Sequence, residues 1–233
     1  MLLCWKTLSY LLMAFYIPPS MQSYVGSGSG KADDLPRRQI AGVSVVDTPI
    51  VRAAEDFARQ HSSEFAYKHI MRSWLFGALI VERNDTLRGN VDLEVQAVAA
   101  MLHDLGWDQT PGSPVVSPDR RFEVDGAIAA REFVKSKDEA GEWGHQRLQL
   151  LWDAIALHTE RSIAYFKELD VQVVSRGISL DFTGPGLNVG EDEYAAVVRE
   201  FPKEDLKNGV NDTMIWLCQT KPATTYGECE LPR

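Results

Sequence analysis

Between Tyr67 and Ile80 the residues Tyr67, Ile70, Met71, Trp74, Leu75, Ala78 and Leu79 recur every three or four positions, which places them on one face of a helix. A helix with so broad an apolar face needs partners of the same period to cover it. The chain supplies them. Val95, Val98, Ala99 and Leu102 repeat the spacing, and so do Leu148, Leu151, Trp152 and Ile155. Thr48-Pro49 ahead of Ile50, Val51, Ala54 and Phe57 reads as the capped start of a first helix, with proline in its first turn. Residues 119–134, 191–200 and 210–219 read as further helices, and 171–181 as a buried apolar segment that breaks into a turn after Asp181. No convincing alternation of apolar and polar residues marks a strand. The expected fold is all-α, a bundle of six or more helices in one domain.

The domain is expected over residues 39–226. Ahead of it, the run Leu8–Ile17 has signal-peptide length and is too short to span a bilayer, and Gly26-Ser-Gly-Ser-Gly30 has linker composition. Residues 1–38 therefore read as an apolar leader plus linker. A secretory leader is one reading of its start, and a disordered leader or upstream extension of a cytoplasmic protein is the other. Residues 227–233 form a short tail. The three cysteines, Cys4, Cys218 and Cys229, make no zinc ribbon or CxxC pair, so any metal site must use histidines and carboxylates. Cys218 and Cys229 are spaced for a small loop disulfide in a secreted protein, or stand as two free thiols. A net charge of −9, with no basic run interleaved with aromatics, argues against a nucleic-acid polymer as partner. A small molecule is the expected partner, without a stable membrane span, and homo-oligomerisation is left open.

The residues able to carry chemistry sit on these apolar stripes. His103-Asp104 ends the stripe from Val95, with Asn90 or Asp92 as the helix cap, Glu94 in its first turn and Gly106 as its stop. Such a pair offers metal ligands, or else a helix-capping pair. His69 lies at the edge of the Tyr67–Ile80 stripe with Arg72 three residues on, close enough to share a flank. His158 continues the stripe of Leu148, Leu151, Trp152 and Ile155, so it looks inward, as a core histidine or a functional one. Asp181 caps its segment or ligates. On one helix Glu123 and Asp125 point about 200° apart, so one of them at most can face a common pocket. The loop Asp108–Pro118 follows the His-Asp pair and is placed to shape access to it.

Taken in order, His69, His103-Asp104, His158 and Asp181 resemble the signature of the HD-domain superfamily of metal-dependent hydrolases. The stretches from His69 to Gly77, Leu102 to Gly106, Arg121 to Gly126, Ala154 to Thr159, Ser175 to Gly184 and Lys221 to Tyr226 resemble its fungal cyanamide hydratase-like branch, over roughly residues 45 to 226. The resemblance implies one divalent metal, zinc or else iron, held by His69, His103, Asp104 and Asp181. Members with two metals use two further histidines. The position of the first falls here in the Glu123/Asp125 segment, which has none, so a mononuclear site is implied, with His158 and Glu123 or Asp125 available for substrate or proton transfer. Arg72 is then either a substrate clamp or a structural partner of an acid. The implied reaction adds water to a small nitrile-like substrate, cyanamide to urea in type. The alternative is hydrolysis of a nucleotide or other phosphomonoester.

Overall fold

The structure, a computed structural model, describes residues 35–225. Residues 1–34 of the expected leader and linker, the expected tail, Cys4 and Cys229 lie outside the described residues. Among the described residues nine α-helices follow a short hairpin: β1 (Arg37–Ile40), β2 (Val43–Val46), α1 (Pro49–Gln60), α2 (Glu64–Glu82), α3 (Leu93–Leu102), α4 (Phe122–Lys137), α5 (His145–Ala156), α6 (Arg161–Ala164), α7 (Leu169–Thr183), α8 (Glu191–Glu200) and α9 (Leu206–Thr220). The protein is thus an all-α bundle.

The broad apolar face read from the sequence makes α2 the central element. It packs on α3 and, most extensively, on α7, and Trp74, Leu75, Phe76 and Ile80 along it are fully buried. Burying side chains of this size contributes about 1.5–3 kcal/mol each. Helix α3 lies between α1 and α5 as well as against α2. Its first turn is capped by Asp92, whose carboxylate accepts from the backbone N–H groups of Glu94 and Val95 at 3.1 Å. The close approach of α2 and α7 depends on Gly177. A Cβ there would lie 2.7 Å from the Ser73 carbonyl oxygen and 2.9 Å from the Gly77 backbone nitrogen. This contact holds the two helices that carry His69 and Asp181 side by side.

The expectation of no strands is corrected by the antiparallel pair β1–β2, which runs from Arg37 opposite Val46 to Ile40 opposite Val43. Its inward residues Val43, Val45 and Val46 are buried. Four residues per strand give a period of two too little length to stand out, and β1 begins two residues before the expected boundary at 39. Other differences are at helix ends. Helix α4 begins at Phe122, where 119 was expected, α9 begins at Leu206, ahead of 210, and α3 stops at Leu102, so that Leu105–Trp107 forms a separate 3-10 turn. The short helix α6 was not expected at all.

Candidate metal centre

Three imidazoles converge on Asp104. His69 comes from the second turn of α2, His103 caps the C-terminus of α3, and His158 sits in the turn just after α5. All are buried, at 1%, 0% and 5% exposure, and Asp104 at 2%. In each ring Nδ1 faces an acceptor: the Ala100 carbonyl for His103 at 2.8 Å, the Ile155 carbonyl for His158 at 2.6 Å, and Asp181 Oδ2 for His69 at 2.7 Å. A carbonyl or carboxylate oxygen only accepts, so Nδ1 of each ring carries a proton, which leaves Nε2 as the atom that can offer a lone pair.

Those lone pairs face one another and a carboxylate. His103 Nε2 is 3.3 Å from His69 Nε2 and 2.9 Å from Asp104 Oδ2, and His69 Nε2 is 3.7 Å from the same oxygen. His158 Nε2 approaches the other oxygen, Oδ1, at 3.6 Å. Both Asp104 oxygens are buried without a hydrogen bond. A buried carboxylate without donors, set among imidazole lone pairs, is costly unless a cation joins it. The donor set therefore fits a divalent ion, and His69, His103 and Asp104 are the group whose ligand atoms lie close enough to hold one. Three nitrogen and oxygen ligands with a position left over is the pattern of catalytic zinc sites.

Asp181 is not in that group. It sits on the Nδ1 side of His69, and Arg72 bonds both its oxygens, Nε to Oδ1 at 2.7 Å and Nη2 to Oδ2 at 2.8 Å. Burial pushes the Asp181 carboxyl up, but the His69 and Arg72 hydrogen bonds outweigh it and hold the group well below the usual range. Asp181 thus accepts from His69 Nδ1 on the side away from Asp104, the place that carboxylates take behind ligating histidines. Arg72, fully buried, uses Nη1 on the Phe201 and Pro202 carbonyls at 2.9 and 3.1 Å. Its guanidinium is thus engaged by acceptors of the protein itself.

Glu123 and Asp125 point to different places. Glu123 accepts from Thr159 Oγ1 at 2.7 Å and from Arg121 Nε and Nη2 at 3.0 and 2.5 Å. This puts it beside the turn that carries His158. Asp125 accepts from Lys221 Nζ at 2.6 Å, Arg120 Nε at 2.9 Å and Ser117 N and Oγ at 2.9 and 2.8 Å. It borders a separate groove of about 650 Å3 between α1 and α4. Asp125 therefore ties the access loop and the chain after α9 to α4, and Glu123 is the carboxylate on the His158 side.

Aromatic rings close the centre. Trp107 stacks on His69 with centroids 6.2 Å apart and meets Phe122 at 5.6 Å, and Phe122 meets His158 edge-on at 5.7 Å. Phe182, 39% exposed, lies 5.0 Å from the His69 ring. Gly106 lets Trp107 reach this place, because a Cβ there would lie within 2.2 Å of the Phe122 carbonyl oxygen. In this surrounding, burial and the nearby His103 push His158 down to about 4, so it is neutral near pH 7. The rings were not anticipated from the sequence. The contact of Trp107 with His69 has no signature in spacing.

The HD-domain family model matches residues 66–201, more than half of the chain. The chain belongs to the HD-domain family. Among curated proteins none matches it. HD domains are metal-dependent hydrolases, and the matched region contains His69, His103, Asp104, His158 and Asp181. Among the described residues no helix of this HD protein is long and apolar enough to cross a membrane.

Proposed function

We propose that this HD protein is a metal-dependent hydratase that adds water to a small, uncharged, nitrile-like substrate of the cyanamide type, with zinc as the metal and iron as the alternative. The supporting observation is the charge arrangement around the centre. Arg72 is bonded to Asp181, Arg121 to Glu123, Arg120 and Lys221 to Asp125, and Lys203 to the Asp181 carbonyl and Tyr194. Phosphate substrates call for arginine or lysine donors turned to the substrate. These side chains serve the protein's own acceptors, and the faces next to His69 and His158 are aromatic.

Bound by His69, His103 and Asp104, the ion would supply Lewis acidity and lower the pKa of a water in the open position towards roughly 7. Asp181 keeps the lone pair of His69 on Nε2, directed to that ion. Trp107 and Phe122 limit bulk water around the reacting carbon. His158, neutral at Nε2 and 3.6 Å from Asp104 Oδ1, accepts the proton released as water adds, and returns it to the substrate nitrogen. Tautomerisation of the resulting isourea-type product gives the urea.

The test is metal content by elemental analysis of the purified protein, followed by urea formation from cyanamide on the same sample. About one bound ion and urea production are expected. Bound metal with phosphate release from phosphomonoesters and no urea would replace the hydratase reading by the phosphohydrolase one. A protein that takes up no metal would remove both.

A further inference from the structure

Away from the metal centre, the turn after α2 carries the tripeptide Asn84-Asp85-Thr86, an Asn-x-Thr acceptor sequence for N-linked glycan. We propose that Asn84 is an N-glycan acceptor and that this chain passes through the secretory pathway. The turn presents Asp85 and Thr86 outward, with Asn84 half-buried beside them. The Asp85 side chain is 93% exposed, and Thr86 is exposed. Asn84 is held by its backbone: its carbonyl accepts from the N–H groups of Leu87 and Arg88 at 3.0 Å, and its side-chain Oδ1 accepts from the Thr86 N–H at 2.9 Å. Its amide Nδ2, the atom that would be modified, donates to none of the described residues.

A second such tripeptide, Asn211-Asp212-Thr213, makes the contrast. It lies within α9, and Thr213 is 1% exposed with its hydroxyl accepting from Gln109 Nε2 at 3.4 Å. Folding withdraws the Thr213 hydroxyl, whereas Asp85 and Thr86 stay exposed after folding. Asn84 also lies fifteen residues beyond His69, roughly 20 Å along the α2 axis at about 1.5 Å per residue, so a glycan there leaves the metal centre clear.

One further feature fits the same compartment: residues 8–17 form an apolar run of signal-peptide length. The reaction needs a polyisoprenyl-diphosphate-linked oligosaccharide as donor. The Asn84 amide nitrogen attacks the anomeric carbon, and a C–N bond forms. The C–O bond to the diphosphate breaks, the polyisoprenyl diphosphate leaves with the electron pair, and the amide gives up one N–H proton. No electron is transferred to or from an outside reagent.

The experiment is translation of the full chain with endoplasmic-reticulum microsomes. The expected result is a protease-protected chain with a mobility shift that peptide N-glycosidase reverses. Asn84→Gln and Thr86→Ala should each abolish the shift, Thr86→Ser should restore it, and Asn211→Gln should leave it. Because the readout does not require a folded product, a destabilised variant remains informative. A chain left outside the microsomes, a protected chain without a shift, or a shift that survives Asn84→Gln would overturn the proposal.

Discussion

Replacing Asp181 by asparagine tests the division of roles around His69. The amide keeps the size of the carboxylate and one carbonyl oxygen, but it removes the charge opposite Arg72. Both groups are fully buried, with two hydrogen bonds of 2.7 and 2.8 Å between them. Removing one partner of such a pair costs about 3–5 kcal/mol, because the remaining charge has no counterion. In a domain of this size each kcal/mol moves the melting midpoint by roughly 2–4 °C, so the metal-free variant should melt about 6–20 °C lower. If Asp181 acts through His69 Nδ1, zinc affinity should fall by about 10- to 100-fold, the usual effect of losing a carboxylate behind a ligating histidine. Thermal unfolding of the stripped protein and competition with a zinc chelator measure the two quantities. A folded Asp181→Asn protein that melts like wild type and yet binds no zinc would refute the reasoning, and would make Asp181 a direct ligand.

Four further outcomes are expected. His103→Ala and Asp104→Ala should each abolish stoichiometric metal in elemental analysis, and full occupancy in both would place the site elsewhere. His158→Ala should keep its metal while turnover of the proposed hydration falls by about 100-fold or more, the scale of a lost acid–base group; unchanged turnover would make His158 a core residue. Gly177→Ala forces a Cβ against the α2 backbone and should cost about 1–3 kcal/mol in urea unfolding, and no loss would mean that α2 and α7 separate freely. In the stripped protein two buried groups oppose each other as pH changes. His158, lowered to about 4 from 6.5 by burial and His103, loses stability for the fold as pH falls through that window, because the unfolded chain takes up the proton first. Asp170, raised to about 6 from 3.8 by burial, does the reverse, and each effect is about 3 kcal/mol, so Asp170→Asn should expose a steep acid loss between pH 6.5 and 4 that wild type lacks. Equal pH slopes for the two proteins in urea unfolding would show that Asp170 does not titrate there.

The helical framework was legible because burial of a helix face writes a period into the sequence. The stripes of α1, α2, α3 and α5 were read as helices, whereas residues 171–181 were read only as a buried apolar segment although they form the body of α7, and the HD relationship followed from the order of His69, His103-Asp104, His158 and Asp181. What the period does not encode is which atom of a buried side chain faces which partner. Asp181 and Arg72 were both readable as residues of the site, but only the fold shows that they are bonded to each other behind His69. Glu123 and Asp125 were separable by angle alone, as about 200° on one helix, yet their assignment needed partners from distant segments. Thr159 comes from the turn after α5, and Lys221 from 96 positions further along the chain than Asp125. Lys221 also has a physical role that its place in the sequence does not reveal. Its buried ammonium is the counterion of a buried aspartate, and replacing it with a neutral residue would leave Asp125 with only Arg120 as a charged partner, on the exposed side. The same logic applies at the centre itself. Asp104 was legible as half of a dipeptide, but the case for a metal rests on what surrounds it: three ring nitrogens whose protons are already committed elsewhere, and no donor for either oxygen.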